Sequence, residues 1–427
     1  MIFPVRAYGA VGDAQLVTDG ETTNASNTVR SASNPWSASD VGKIIWGVAN
    51  SVVALPLGTI TGFVNAGEIT VSTLGQFNSS IVNLVWATQD DTAAFTAAFA
   101  AAIQETTGSR FNSHTILMET GGYVVSNRIY KNHGTVAASF GPQLVGAGRG
   151  SVTLYPIPGM TIAGDGRGAL IDVTGYGALI ENFGIYGCGF AWNGLAADQA
   201  FFNIEQAVGC RLSRVGMAQI GSQVIESRCL SVNGTNLDLN DVTVQGTSGN
   251  SAMWAMFFHG AGVLAKNCLA SNFHRNVGIT TNPSREPTGN GVVRWIGGGI
   301  DEGTLTPLQI FTEGEADFDG AFLWGAPDPD GFAIDVDATS KLWVRGCNIG
   351  RFGNVGLAGK ALKIQAGGRV EAGYNTFRAN AASNVTVQND GRFVDLGGNR
   401  YANWNTGAEV EVFWRNAFTN PNQVQRF

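Results

Sequence analysis

The residues that could do chemistry crowd into one stretch. Between Asp301 and Asp330 the chain carries Asp301, Glu302, Glu313, Glu315, Asp317, Asp319, Asp328 and Asp330, its densest run of acids. Trp295, Trp324 and Trp343 stand in and around it, with Trp254 upstream. Sugar rings lie against aromatic faces, and glycoside hydrolysis commonly uses two carboxyl groups, one of them protonated. Asp301, Glu302, Glu313, Glu315, Asp317 and Asp319 are therefore candidate catalytic groups, and the four tryptophans are candidate sugar platforms. A second patch holds His259, His274, Arg275, Arg285 and Glu286. There a guanidinium could grip a sugar carboxylate bidentately or act as the base of a lyase, so His274 and Arg275 join the substrate-binding candidates. The plain alternative for any single acid is a place on a solvated face or loop.

Such groups need a scaffold, and the sequence supplies one by repetition. From Ile180 to about Tyr401 a short pattern recurs every 24 to 32 residues. Its clearest copies begin at Ile180, Leu212, Leu239, Ala265, Val293, Phe318 and Val344, with weaker ones at Glu371 and Asp395. The first, fourth and sixth positions are mostly apolar. A straight strand would put the first and fourth on opposite faces. The third position is mostly Asn, Asp or Gly, residues that tolerate a left-handed backbone. Each copy therefore reads as strand, sharp corner, strand, and stacked copies make a parallel solenoid.

Composition agrees with this. The 427 residues include 58 glycines against 12 prolines, about twice the ordinary glycine share. Corners need Gly, and packed coils exclude Pro. The net charge of −7 argues against a nucleic-acid partner. No stretch is long and apolar enough for a membrane span, and the first residues lack the apolar core of a secretory signal. Synthesis in the cytosol without a signal peptide is thus expected. Cys268 and Cys347 fall at inward fourth positions, which predicts buried free thiols. The four histidines lack ligand spacing, so neither a metal nor a cofactor is expected.

The start of the chain carries a resemblance. Tyr8-Gly9-Ala10, then Gly12-Asp13, and later Asp90-Asp91-Thr92 before an Ala-rich segment resemble the opening of the pectate-lyase-like β-helix superfamily. Bacteriophage tailspikes, polysaccharide lyases and glycoside hydrolases share that architecture. The resemblance implies an all-β, right-handed parallel β-helix with an N-terminal capping helix, and it implies fold more strongly than activity. Here the motif is split by an insertion whose alternating segments (Ile44 to Val48, Gly58 to Val64, Glu68 to Ser72) read as short strands. The expected layout is a cap start at 1–13, a small inserted β-rich subdomain at 14–87, a capping-helix region at 88–112 and the parallel β-helix at 113–427. Asp91 is expected to cap a helix from Thr92 to about Gln104, with Phe95, Phe99 and Ile103 on its buried face.

Two functional readings stay open. In one, the resemblance implies a tailspike-like depolymerase that hydrolyses a bacterial surface polysaccharide with paired carboxylates, or a lyase of the same fold. In the other, it implies a non-catalytic virion or adhesive glycan-binding protein. Tailspikes also imply a homotrimer and a place on a virion tail or outside the cell. One further expectation is geometric. Stacking the second positions should set Arg294, Asp319 and Arg345 in a +/−/+ ladder, with Asp319 flanked by both guanidiniums.

Overall fold

In the computed structural model, the residues described are 1–49, 53–75, 78–104, 114–133, 142–157, 169–174, 177–191, 200–221, 227–246, 253–259, 262–273, 275–280, 292–303, 306–325, 332–351, 360–379, 387–403 and 424–426. The chain forms two compact units. One comprises Met1–Asn203 with Arg214–Ser227, and the other Ile204–Ser213, Arg228–Gly249 and Met253–Phe427.

In the first unit, Ile2–Pro4, Thr115–Met118, Gln143–Gly146 and Leu179–Ala191 pair as successive parallel strands. Gly121–Val125 and Val152–Pro156 continue around the corner. Residues 15–87 interrupt this stack. Gln15–Thr22, Thr28–Ser31, Ile44–Ala49, Val53–Asn65, Glu68–Val71 and Ser79–Ala87 close into a six-stranded barrel of antiparallel pairs. Val29, Trp36, Ile45, Leu57, Ile69 and Trp86 are among the side chains that fill it.

The two halves of the split motif meet where the barrel departs. Asp91 accepts the amide protons of Val11 at 2.8 Å and Gly12 at 3.3 Å, while Asp13 accepts from the amide and hydroxyl of Thr88 at 3.0 and 2.6 Å. Asp91 holds the N-cap position of the helix Thr92–Gln104 through its carbonyl, which accepts from Ala94 and Phe95 at 3.0 and 3.2 Å, but its side chain does not cap the helix. The first helical amide is bound by Asp90 at 2.9 Å, because the Asp91 carboxylate is turned toward the start of the chain. The buried face of the helix is also different from the one expected. Ala94, Phe95, Ala98 and Ala102 are buried, and Ile103 is exposed. Small alanines let the helix lie close to the first strands. Phe95 then packs edge-on to Tyr123 at 5.6 Å and Phe99 to Tyr130 at 5.1 Å.

The second unit is a parallel solenoid with three strands per coil. First strands run Leu237–Asn240, Val263–Lys266, Val293–Ile296, Glu315–Asp319, Lys341–Arg345, Arg369–Gly373 and Arg392–Asp395, each paired in parallel with the next. Second strands run from Thr243–Gly246 to Arg400–Asn403. Third strands run from Arg228–Thr235 to Val387–Asn389. Between first and second strands each coil turns through a left-handed residue: Asp241, Asn267, Gly297, Gly320, Gly346, Tyr374 and Gly398, with φ of 54°, 51°, 64°, 66°, 61°, 57° and 71°. The amides from Asp241 to Tyr374 form their own ladder, each donating to a carbonyl one coil on, from Asp241 to Lys266 through to Tyr374 to Gly397.

The register corrects the sequence alignment at two coils. Ala265 stacks on Trp295, and Trp295 on Phe318, so the first position of that copy is Trp295 and not Val293. Side chains two apart on a strand share a face, so an apolar Val293 imitates the true start. The Gly297-Gly298 pair makes the corner. The copy assigned to Glu371 likewise begins at Ala372, which stacks on Val344.

At Cys268, Cys347 and Asn375 the position just inside the corner closes the coil against the one before it. Cys268 Sγ lies 3.6 Å from the Leu239 carbonyl and Cys347 Sγ 3.6 Å from that of Phe318. Asn375 does the same more strongly, donating from Nδ2 to Val344 O at 2.9 Å and accepting from Cys347 N at 2.9 Å. Cys210, Cys229, Cys268 and Cys347 are buried free thiols. Burial pushes Cys268 up to about 12 and Cys347 up to about 11, and raises Cys229 as well. Only the thiolate is reactive. Peptide mass spectrometry after iodoacetamide treatment should find these four unmodified in the native protein and alkylated in denaturant. Fast native alkylation of Cys268 or Cys347 would contradict the corner packing.

The turn before Glu315–Asp319 is held across coils. Thr312 and Glu313 both have positive φ, at 50° and 61°. The next coil binds their amides: Asp337 Oδ2 takes that of Thr312 at 2.6 Å and Thr339 Oγ1 that of Glu313 at 2.8 Å. Burial raises the Asp337 pKa, but the bonds from Ser340, Thr312 and Thr339 outweigh it and leave the group below its ordinary 3.8. A carboxylate lowered on folding contributes stability above its unfolded pKa and loses it as pH falls through the folded value. Thermal unfolding below about pH 4 should therefore reveal a loss that Asp337→Asn lessens. Parallel pH profiles for the two proteins would rule this out.

Candidate active face

The outward face of the first strands carries the site. Alternation buries Ala316 and Phe318 and turns Glu315, Asp317 and Asp319 outward. On the next coil they meet Lys341, Trp343 and Arg345 respectively, and one coil further Lys341 and Trp343 meet Arg369 and Glu371. On the preceding coil Arg294 lies against Asp317 and Ile296 against Asp319. The result is an outward sheet face with a half-buried tryptophan ringed by charge.

The charges pair unevenly. Glu315 binds Lys341 at 2.5 Å, and Glu371 binds Arg369. Asp317 is shared by two guanidiniums, that of Arg294 at 3.7 Å and that of Arg345 at 3.4 Å. The +/−/+ ladder therefore exists, but its centre is Asp317 and not Asp319. The two-residue shift at Trp295 sets Arg294 opposite Asp317, and Arg345, still opposite Asp319, reaches diagonally to Asp317. The Asp319 carboxylate is left without an ion pair or hydrogen bond among the described residues, although its carbonyl accepts the Gly297 amide at 2.8 Å. Its Oδ1 leans over the next corner, 4.0 Å from where a side chain would begin on Gly346. Exposed pairs of this kind contribute only about 0 to 1 kcal/mol each, so the ladder sets geometry more than stability.

The other candidates scatter. Asp301 is half-buried on the neighbouring second-strand face, in register with Ser271. Glu302 shares that strand, and its side chain is outside the described residues. Glu313 is exposed in the strained turn. Trp324 packs beside Phe322, ring centres 5.1 Å apart, on the second-strand face. Trp295 is a core residue. It is fully buried, stacked on Phe318 at 5.7 Å, with its indole N–H given to Gly297 O at 2.8 Å, so no ring face is open to a sugar. His274, Arg285, Glu286, Asp328 and Asp330 lie outside the described residues. The five of the six acids whose side chains are described thus do not converge on one point. Glu315, Asp317 and Asp319 share a face, and the sequence reading missed their partners Lys341, Arg369 and Glu371. Pairing strands by alternate positions would have found them.

Of the second patch, the described members His259 and Arg275 belong to an aromatic cluster on the third strands. The Arg275 guanidinium lies 5.1 Å from the Trp254 ring centre, and that of Arg228 4.1 Å from Phe257. Trp254, Phe257 and Phe311 pile together with centroids 5.3 to 6.0 Å apart, and His259 lies 4.5 Å from Phe257. Gly278 makes room, since a Cβ there would sit 2.7 Å from the Phe257 ring. Trp254 is buried, and the cluster reads as packing between third strands, each cation fixed on a ring.

No known family profile matches the chain, and no curated protein matches it in sequence. Solved structures resemble it in fold. The A-module of mannuronan C-5 epimerase AlgE6 from Azotobacter vinelandii is 15% identical over 79% of this chain and 96% of that one, with a TM-score of 0.46. Endo-xylogalacturonan hydrolase from Aspergillus tubingensis is 14% identical over 79% and 95%, at 0.43. Bacteriophage phi29 gene product 12 is 11% identical over 74% of this chain and 50% of that one, at 0.39. At such distances the likeness is one of fold alone, the parallel β-helix already evident from the strand pairing.

Proposed function

We propose that this chain acts on carbohydrate and hydrolyses a bacterial surface polysaccharide on its first-strand face, with Asp319 as acid, Asp317 as base and Trp343 as sugar platform. The observation that carries the reading is the unequal partnering of two neighbouring carboxylates. Asp317 is tied to Arg294 and Arg345, whereas Asp319 has no such tie. Groups two apart on a strand stand roughly 6.6 to 6.8 Å apart, near the lower end of the roughly 6.5 to 9.5 Å spacing of inverting enzymes. A glycosidic bond lying between them would take a proton from Asp319 while Asp317 draws one from the attacking water. Arg345, in register with Asp319 and paired to Asp317, would hold the second carboxylate in place.

Reducing-sugar release from a panel of capsular and O-antigen polysaccharides tests this. Release without ultraviolet absorbance supports hydrolysis, and an absorbing unsaturated product means a lyase. Binding with no product from any member means a glycan-binding protein, a reading favoured by the neutralisation of Glu315 and Glu371. A homotrimer on a virion tail or outside the cell accompanies the proposal. A monomer mass by light scattering at micromolar concentration would remove the trimer.

A further inference from the structure

We infer that Tyr374 is a specificity-determining sugar contact beside Asp319, an inference that rests on the reading of that face as a glycan site. Tyr374 occupies the corner position that Asp241, Asn267, Gly297, Gly320 and Gly346 occupy on earlier coils, as the shared amide ladder shows. It is the one aromatic residue among these described corners, and it holds a φ of 57°, a region a bulky side chain enters at a cost. Its ring contributes nothing to the core, since it is 77% exposed.

The backbone there does not need a tyrosine. The following residue, Asn375, is buried and clamps the corner through Cys347 N, Val344 O and the side chain of Asn399. Tyr374 N itself donates to Gly397 O at 3.0 Å. Strained conformations persist where surrounding structure over-determines them, and Asn375 supplies that determination with any residue at 374. The tyrosine ring rests on Gly398, where a Cβ would lie 2.4 Å from Cδ1. Lying flat against glycine on one side and open to solvent, it presents an aromatic platform with a hydroxyl at its rim.

The position of this platform gives it a role. Asp319 leans over the Gly346 corner, and Tyr374 takes the next corner of the ladder, about 4.8 Å further along at the backbone. Gly346 has no side chain to separate them. A sugar at Asp319 would therefore have its neighbour in the chain against Tyr374, while Trp343 holds it from the other side of Arg345. The ligand class is a polysaccharide segment that offers an apolar ring face to an aromatic residue.

The test compares parent, Tyr374→Gly and Tyr374→Phe on an array of purified bacterial capsular and O-antigen polysaccharides, with Tm measured for each. For a polysaccharide that the parent binds, the glycine variant should lose about tenfold or more in affinity, the phenylalanine variant should retain most of it, and the glycine variant's Tm should not fall. Unchanged affinity in Tyr374→Gly overturns the inference and leaves the glycan reading standing. A fall of several degrees in its Tm also overturns it, because the ring would then be structural. If the parent binds no member of the array, the glycan reading itself fails and takes this inference with it.

Discussion

Asp319→Asn is expected to lower polysaccharide turnover by about 10² to 10⁴-fold and to leave the fold intact. The side chain touches no ion-pair partner and sits on an outward position, so its removal breaks no packing. Asp317→Asn should also cripple turnover, but it releases two guanidiniums at once and should change the salt dependence of binding too. The informative contrast is with Glu315→Gln and Glu313→Gln. The first loses only its pair with Lys341, and the second alters an exposed turn residue, so both should retain activity. Initial rates on a cleaved polysaccharide decide the matter. Full activity in folded Asp319→Asn moves the chemistry elsewhere. If Asp301 and Glu302 variants are equally silent, the Trp254–Arg275 patch becomes the place to look.

Trp295→Ala should cost about 3 to 5 kcal/mol of stability, the usual loss for a buried large aromatic. The indole is enclosed between Phe318 and Phe258 and satisfies its N–H within its own corner. No neighbouring coil can collapse to fill the space, because each coil's height is fixed by the strand pairing above and below. Urea unfolding would measure the loss. A change below about 1 kcal/mol, or a loss of glycan affinity at unchanged stability, would return Trp295 to the role of a surface platform.

Both predictions descend from the same two-residue shift. Val293 and Trp295 are both apolar and both face inward, so hydrophobic pattern alone could not choose between them. Choosing Val293 made Trp295 a corner residue available to sugar and made Asp319 the centre of the arginine ladder. The hydrogen-bonded register, Ala265 to Trp295 to Phe318, reverses both assignments. The same limit explains the helix. The Phe95, Phe99, Ile103 spacing marks one face, yet Ala94, Ala98 and Ala102 pack just as well and allow closer approach.

The sequence by itself determined the architecture: recurring apolar positions, left-handed corners at Asn, Asp and Gly, an insertion within the opening motif, and buried thiols inside the corners. These are local properties, since a corner residue or an inward position is chosen by a few neighbouring residues. What only the tertiary structure decided was which residues of different coils stand side by side. Asp317 meets Arg294 and Arg345 across separations of 23 and 28 residues. That meeting depends on the exact length of every intervening loop, and loop length is tuned by packing rather than by any repeating letter. The face that joins Asp317, Asp319, Trp343 and Tyr374 therefore could not be read along the chain: Asp317, Asp319 and Trp343 are candidates from the sequence, and Tyr374 comes only with the structure.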